Sequence, residues 1–306
     1  MNPFLSKNKG SIFDIAYNIA YLFYHSKSET IMNSVICFIG AGNMAKSLMG
    51  GLIASGYDKE KIIAADPSSE QCAALTQTLG IQCYEDNQRA IEQSDIVVLA
   101  VKPQVLQTVC NSIQHSIQTA PKLIISVAAG IRTQNIDSWL GGNVAIVRAM
   151  PNTPSLVQTG AAGLFANALV STEQKEQAEH ILRAAGLTIW VDQEPQLDAV
   201  TALSGSGPAY YFLFMEAMEQ AAIKMGLDAQ TAHLLTMQTA LGSAKMVMES
   251  KQNCVTLREN VTSPNGTTEQ AINSFEHSNI RQTVEKAMKA AQKRAIEIGN
   301  ELGGDS

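Results

Sequence analysis

The sequence predicts a doubly wound α/β domain followed by an all-α domain. Short apolar runs alternate with helix-like stretches from residue 34 to about 165. Those runs are apolar at consecutive positions, as expected of strands covered by helices on both faces. After Pro195 the strand-like runs cease and long stretches rich in Ala and Met take over. Strand, helix and strand in repeated order, with right-handed crossovers, build one largely parallel sheet. The 306 residues suit two domains, expected at 32–195 and 196–306 behind an N-terminal extension, 1–31.

Strands are expected at 35–39, 62–65, 96–100, 123–127 and 144–147, with helices at 44–55, 69–79 and 104–117 between them. A helix at 172–185 precedes a weaker strand at 187–191. The second half reads as helices at 208–225, 229–249 and 280–302. Pro208 suits a first helical turn, where its missing N–H costs no hydrogen bond. The run Ala-Tyr-Tyr-Phe-Leu-Phe-Met after it is apolar nearly all round, which requires burial on every side. A domain of about 110 residues meets that requirement only against another chain, so an obligate helical dimer is expected. In the extension, the apolar run 12–24 resembles the core of a signal peptide, but Asp14 and Asn18 interrupt it. His25, Lys27 and Glu29 stand where a cleavage site would follow. The extension reads as dispensable, or alternatively as an amphipathic helix covering an apolar patch.

At 45% hydrophobic and 16% charged residues the chain can bury a large core. Its net charge of −6 provides no electrostatic footprint for nucleic acid. No uncharged apolar run approaches the roughly 20 residues of a membrane helix, so no membrane partner is expected. Cysteines 37, 72, 83, 110 and 254 are scattered without a C-x-x-C pair, which favours reduced thiols in a cytoplasmic protein over a disulfide framework or zinc site.

Gly40-Ala41-Gly42-Asn43-Met44-Ala45 follows the first strand and opens the first helix. Glycines there let the backbone turn tightly and approach a pyrophosphate, whose charge suits the free N–H groups of the helix start. Asp66 at the end of the second strand is placed to accept from ribose hydroxyls, which favours NAD, whereas Ser68 and Ser69 suit the extra phosphate of NADP; both cofactors stay open. Ala100-Val101-Lys102-Pro103 leaves the third strand, and Ser126-Val-Ala-Ala-Gly130 leaves the fourth. Carboxyl ends of strands line the ligand crevice of such sheets, so Lys102 is placed to meet phosphate or ribose groups. Arg148-Ala-Met-Pro-Asn-Thr-Pro154 forms a rigid loop that offers Asn152 and Thr153 as hydrogen-bonding groups. Two hydroxyl-rich loops, 203–209 and 261–269, open helices in the second half. Taken alone, they are ordinary caps or seats for a substrate carboxylate.

Residues 32–306 resemble pyrroline-5-carboxylate reductase through F-I-G-A-G-N-M-A (38–45), A-V-K-P (100–103), M-P-N-T-P (150–154), A-L-S-G-S-G-P-A-Y (202–210), K-M-G-L (224–227) and T-S-P-N-G-T-T (262–268). The resemblance implies a Rossmann-type domain and a helical domain that interlocks with its mate, often in a decamer of five dimers. It implies reduction of L-1-pyrroline-5-carboxylate to L-proline with NADPH or NADH. Ser263, Gly266 and Thr267 would hold the substrate carboxylate, and Thr268 would donate toward the ring nitrogen. Asn87, Ala100, Lys102, Pro103 and Ala129 would join the glycine turn at the cofactor. Asn265 stands where the family usually has glycine, and asparagine is the best substitute for a left-handed residue. Ser-Lys-Gln-Asn at 250–253 departs from the family, so no role is carried onto Glu249 or Lys251.

None of these loops contains a histidine; His115, His180, His233 and His277 all fall in helical or flanking segments. Thr268 or a water is therefore expected to assist the imine nitrogen, which is already basic near neutral pH. Two alternatives stand beside this reading. A related imino-acid or hydroxyacid reductase would need, in the hydroxyacid case, a lysine on the first long C-terminal helix, where only Lys224, near its end, is found. A non-catalytic dinucleotide-binding dimer would leave the 262–268 loop unexplained.

Overall fold

β1 (Ile36–Ile39), β2 (Ile62–Ala65), β4 (Ile96–Leu99) and β5 (Leu123–Ser126) are buried at every position, which is why their sequences carry no polar alternation. In this computed structural model, which describes residues 33–304, they lie in an eight-stranded sheet of order β3-β2-β1-β4-β5-β6-β7-β8. β3 spans Gln82–Tyr84, β6 Ile146–Met150, β7 Gly160–Ala166 and β8 Gly186–Trp190. All neighbours pair in parallel except β6 and β7. The order reverses between β1 and β4, the switch point where doubly wound sheets bind ligands.

The helices are α1 (Asn43–Ala54), α2 (Ser69–Leu79), α3 (Asn87–Glu92), α4 (Pro103–Thr119), α5 (Thr133–Trp139), α6 (Thr172–Arg183), α7 (Gln196–Val200), α8 (Gly207–Lys224), α9 (Ala229–Glu249), α10 (Cys254–Asn260), α11 (Thr267–His277) and α12 (Ile280–Gly303). Alternate residues of β1 feed two cores. Ile36 and Phe38 pack with Leu48, Leu52 and Leu75 of α1 and α2, whereas Cys37 and Ile39 pack with Leu106, Ile113 and Ile136 of α4 and α5. Burial pushes the thiols of Cys37 and Cys110 up to about 12.

Three sequence expectations need amendment. The strand expected at 144–147 runs Ile146–Met150, because Arg148 is neutralised inside the sheet and does not end it. β7, whose Gly-Ala-Ala-Gly start lacks strand character, adds an antiparallel strand. Cys72 and Cys83 are not free thiols: α2 turns back onto β3 and joins them in a disulfide with Cα atoms 5.1 Å apart. By compactness, described residues 33–208 and 288–304, the end of α12, form one unit, the sheet unit, within which Asp198 of α7 is tied to Arg132 and Arg148. The extension 1–31 lies outside the described residues.

The helical unit, Ala209–Ala287, contains most of α8 and all of α9, α10 and α11. Within it Phe214 and Phe275 rings stand 6.0 Å apart, and His233 Nδ1 lies 2.8 Å from Glu219 Oε1. In the single chain α8 leaves Tyr211, Phe212 and Leu213 exposed (71%, 61% and 66%), and α9 leaves Leu234, Leu235 and Leu241 exposed. Apolar faces of that extent mark an interaction surface. No described helix is long and apolar enough to cross a membrane.

Candidate functional site

The glycine turn is built by the end of β1. Gly40 adopts φ +102°, and its N–H donates to Ala65 O at 2.7 Å, binding the turn to β2. A Cβ there would lie 2.7 Å from Ala100 O, so only glycine lets the turn pass so close to the end of β4. Ala41 is buried, whereas Gly42 and Asn43 are exposed. Gly42 caps α1 without a side-chain hydrogen bond, and a Cβ on it would meet nothing within 4 Å. Free N–H groups, an open approach and a helix start together fit the pyrophosphate of a dinucleotide. Met44 follows in the first turn.

Asp66 closes the turn from below: Ala41 N–H donates to its Oδ2 at 2.8 Å and Ser68 N–H to its Oδ1 at 3.0 Å. The carboxylate expected to read a ribose therefore also holds the glycine turn against β2. Ser68 Oγ accepts from Gln71 N–H and caps α2, while Lys46 Nζ reaches Gln71 Oε1 at 2.8 Å. This sets an ammonium group beside the hydroxyl-rich helix start.

Ala100 N–H donates to Ile39 O at 2.8 Å, which sets the ends of β1 and β4 side by side. Lys102 is exposed and caps α4, with Pro103 as its first residue. Ala129 follows β5, the next strand in the sheet. The switch point thus gathers Gly40–Gly42, Ala100–Pro103 and Ala129 along one edge. Asn87 begins α3 after β3, two strands from β1 on the other side. Asn152 is occupied by its own unit: its Nδ2 donates to Ser204 O at 3.0 Å and its Oδ1 accepts from Ala161 N–H at 2.9 Å. Its role there is to brace the loop onto β7 and the π-helical turn Thr201–Gly205.

In the helical unit, Ser263 O accepts from Gly266 N–H at 3.0 Å, closing a turn between α10 and α11. Asn265 sits at φ +60°, the left-handed conformation expected of the residue replacing glycine. Its N–H donates to Glu269 Oε2 at 2.8 Å, which holds the turn to the helix it opens. Gly266 caps α11 without a side-chain hydrogen bond, and Thr267 and Thr268 are the first two helical residues. Ser263 and Thr267 are exposed, and Thr268 is half-buried. The loop therefore presents hydroxyls and uncapped N–H groups at a positive helix end.

A charge cluster next to the 128–133 loop has no signature in the sequence. Arg148, 1% exposed, pairs with Glu194 at 3.1 Å and with Asp198 at 3.5 Å, and Asp198 also pairs with Arg132 at 3.1 Å. Only the positioning of residues far apart in the chain reveals it. Among the described residues no cluster of three or more His, Cys, Asp and Glu could hold a metal ion.

Residues 194–298 match the family model for pyrroline-5-carboxylate reductase dimerisation, and 35–130 match that for NADP oxidoreductase, coenzyme F420-dependent. Pyrroline-5-carboxylate reductase of Pseudomonas aeruginosa is 49% identical over 88% of this chain and 98% of its own. Among solved structures, a pyrroline-5-carboxylate reductase from Coxiella burnetii superposes with a TM-score of 0.83 at 49% identity, covering 87% of this chain and 98% of that one. The Plasmodium falciparum enzyme with NADP bound gives 0.78 at 31% identity, with the same coverages.

Proposed function

The chain belongs to the pyrroline-5-carboxylate reductase family, and we propose on that premise that it reduces L-1-pyrroline-5-carboxylate to L-proline with NADPH or NADH. The observation that carries the reading is the 263–268 loop, where an uncapped start of an eleven-residue helix displays three hydroxyl side chains. A small carboxylate suits that helix end, and a doubly wound cofactor domain alone does not account for it.

Gly40, Ala41, Gly42, Asn43 and Met44 hold the cofactor pyrophosphate on the start of α1. Asp66 and Ser68 face the adenosine ribose, and Asn87, Ala100, Lys102, Pro103 and Ala129 border the rest of the molecule. When bound, the reduced nicotinamide supplies the hydride that the C=N carbon of the imine receives, the carbon that becomes C5 of proline. Ser263, Gly266 and Thr267 orient the substrate by its carboxylate. Thr268 donates its hydroxyl to the lone pair of the neutral ring nitrogen, which takes up one proton from water as the C=N carbon becomes saturated. Positioning and exclusion of water carry most of the catalysis. The apolar faces of α8 and α9 pair with a second copy. The protein works in the cytoplasm, with residues 196–306 binding substrate and partner.

Steady-state rates with each reduced cofactor, across cyclic imines and β-hydroxyacids, test the assignment. Cofactor oxidation with pyrroline-5-carboxylate and recovery of proline support it; turnover of a hydroxyacid alone, or of nothing, refutes it.

A further inference from the structure

We propose that Glu194 is a positioning residue for the nicotinamide end of the cofactor, acting through Thr133 on the loop that carries Ala129. The proposal rests on the functional reading above for what lies against that loop. Its geometry is independent of that reading. Glu194 Oε1 accepts from Thr133 N–H at 2.7 Å and from Arg148 Nη1 at 3.1 Å, while Oε2 accepts from Thr133 Oγ1 at 2.8 Å. One carboxylate therefore ties the start of α5 to the middle of β6. Arg132, the preceding residue, donates to Asp198 Oδ2 at 3.1 Å, and Asp198 also faces Arg148. Two acids from 194–198 and two arginines thus close around positions 132 and 133, three and four residues beyond Ala129.

The other side of the loop is fixed by close backbone contact. Gly130 adopts φ +84°, and a Cβ on it would stand 3.0 Å from Ile298 Cγ2 and 3.3 Å from Gly299 N. A Cβ on Gly299 would lie 2.7 Å from Gly130 O. Asn135 Nδ2 adds a hydrogen bond to Gly303 O at 2.9 Å. The end of α12 and the charge cluster therefore hold residues 128–135 from both sides.

Fold stability does not account for the cluster. Ions this deeply placed lose hydration that their pairing only roughly repays, and apolar residues of similar volume commonly serve a core as well. What the ions add is direction. Thr133 accepts one orientation when its N–H and hydroxyl must both meet one carboxylate, and that orientation sets the path of 128–133. Hydride transfer is sensitive to misplacement of about 1 Å, which costs on the order of 100-fold. The segment 194–198 leads into the π-helical turn Thr201–Gly205, which belongs to the same compact unit.

The test uses the full-length enzyme with Thr133→Val, Thr133→Ser and Glu194→Gln. The readouts are kcat, KM, melting temperature, cofactor Kd and the isotope effect with cofactor deuterated at the transferred position. Thr133→Val and Glu194→Gln are expected to lower kcat about tenfold and weaken cofactor binding several-fold. The isotope effect on kcat should rise, with KM for the imine nearly unchanged, and Thr133→Ser should restore kcat to within about twofold. Wild-type kcat, isotope effect and Kd in both damaged variants overturn the proposal. So does a fall in kcat that merely follows the folded, cofactor-binding fraction. If the wild-type protein leaves pyrroline-5-carboxylate untouched, the functional reading fails by itself, and cofactor Kd in the same variants still decides whether Glu194 positions the loop.

Discussion

Alanine at Gly40 and alanine at Gly42 are expected to damage the protein in different ways, although the two residues share one turn. At Gly40 the backbone is left-handed, and an L-side chain there costs about 1–2 kcal/mol. Its Cβ would also stand 2.7 Å from Ala100 O, a backbone atom that moves only with the end of β4. Overpacking of this kind adds about 1–3 kcal/mol, so Gly40→Ala should lose about 2–5 kcal/mol in all. At about 2–4 °C per kcal/mol for a domain of this size, the melting temperature should fall by roughly 5–20 °C. Gly42 has φ −71°, which any residue adopts, and a Cβ there meets nothing within 4 Å. Gly42→Ala should therefore cost less than about 1 kcal/mol of stability, the difference between glycine and alanine as a helix cap. Its methyl group nevertheless occupies the space through which the pyrophosphate approaches α1. Cofactor Kd should rise by at least about tenfold, or about 1.4 kcal/mol. Thermal melts with and without cofactor, together with fluorescence titration of NADPH, separate the two effects. Wild-type affinity in Gly42→Ala would show that the pyrophosphate sits elsewhere, and a wild-type melt in Gly40→Ala would refute the steric argument.

Three further outcomes are expected. Thr268→Ala should lower kcat/KM about 10- to 100-fold, from losing a hydrogen bond of roughly 1.5–3 kcal/mol to the nitrogen on which negative charge develops during hydride transfer, with Thr268→Ser recovering most of it; wild-type kinetics would remove Thr268 from the chemistry. Burial, and then the nearby Arg183, hold the His180 imidazole below its usual pKa, so the unfolded chain binds its proton more readily than the native protein. The stability this group allows is therefore full above the unfolded value, about 6.5, and is lost as pH falls below it. Melts between pH 7 and 5 should show a decline that His180→Asn flattens, and an unaltered slope would contradict this. Thiol titration of unreduced, denatured protein should find the thiols of Cys37, Cys110 and Cys254 and not those of Cys72 and Cys83; a reading that includes the latter pair would contradict the disulfide.

The central strands could be read directly because both their faces are covered: Ile-Val-Val-Leu at 96–99 has no polar position to confuse it. β7 is not legible in the sequence because Gly160-Ala-Ala-Gly163 has little intrinsic strand preference and is held by its pairing with β6 and β8. β3 is three residues long and only partly buried, too short for a periodicity to show. Arg148 looked like the end of a strand because its partners Glu194 and Asp198 lie more than forty residues away. The glycine turn was legible from its own residues, since its conformation is local. The 262–268 loop was not: hydroxyls at a helix start mean capping as readily as ligand binding, and only the motif resemblance tipped the balance. Asp66 follows β2 as its sequence position implies, whereas its bonds to Ala41 and Ser68 depend on a three-dimensional closeness that spacing does not show.

The most direct measurement follows the hydride itself. Reduction of pyrroline-5-carboxylate with cofactor deuterated at the transferred C4 position should place one deuterium on C5 of proline, read by mass spectrometry and NMR. Unlabelled proline, or deuterium at any other carbon, would contradict direct transfer from the nicotinamide to the imine.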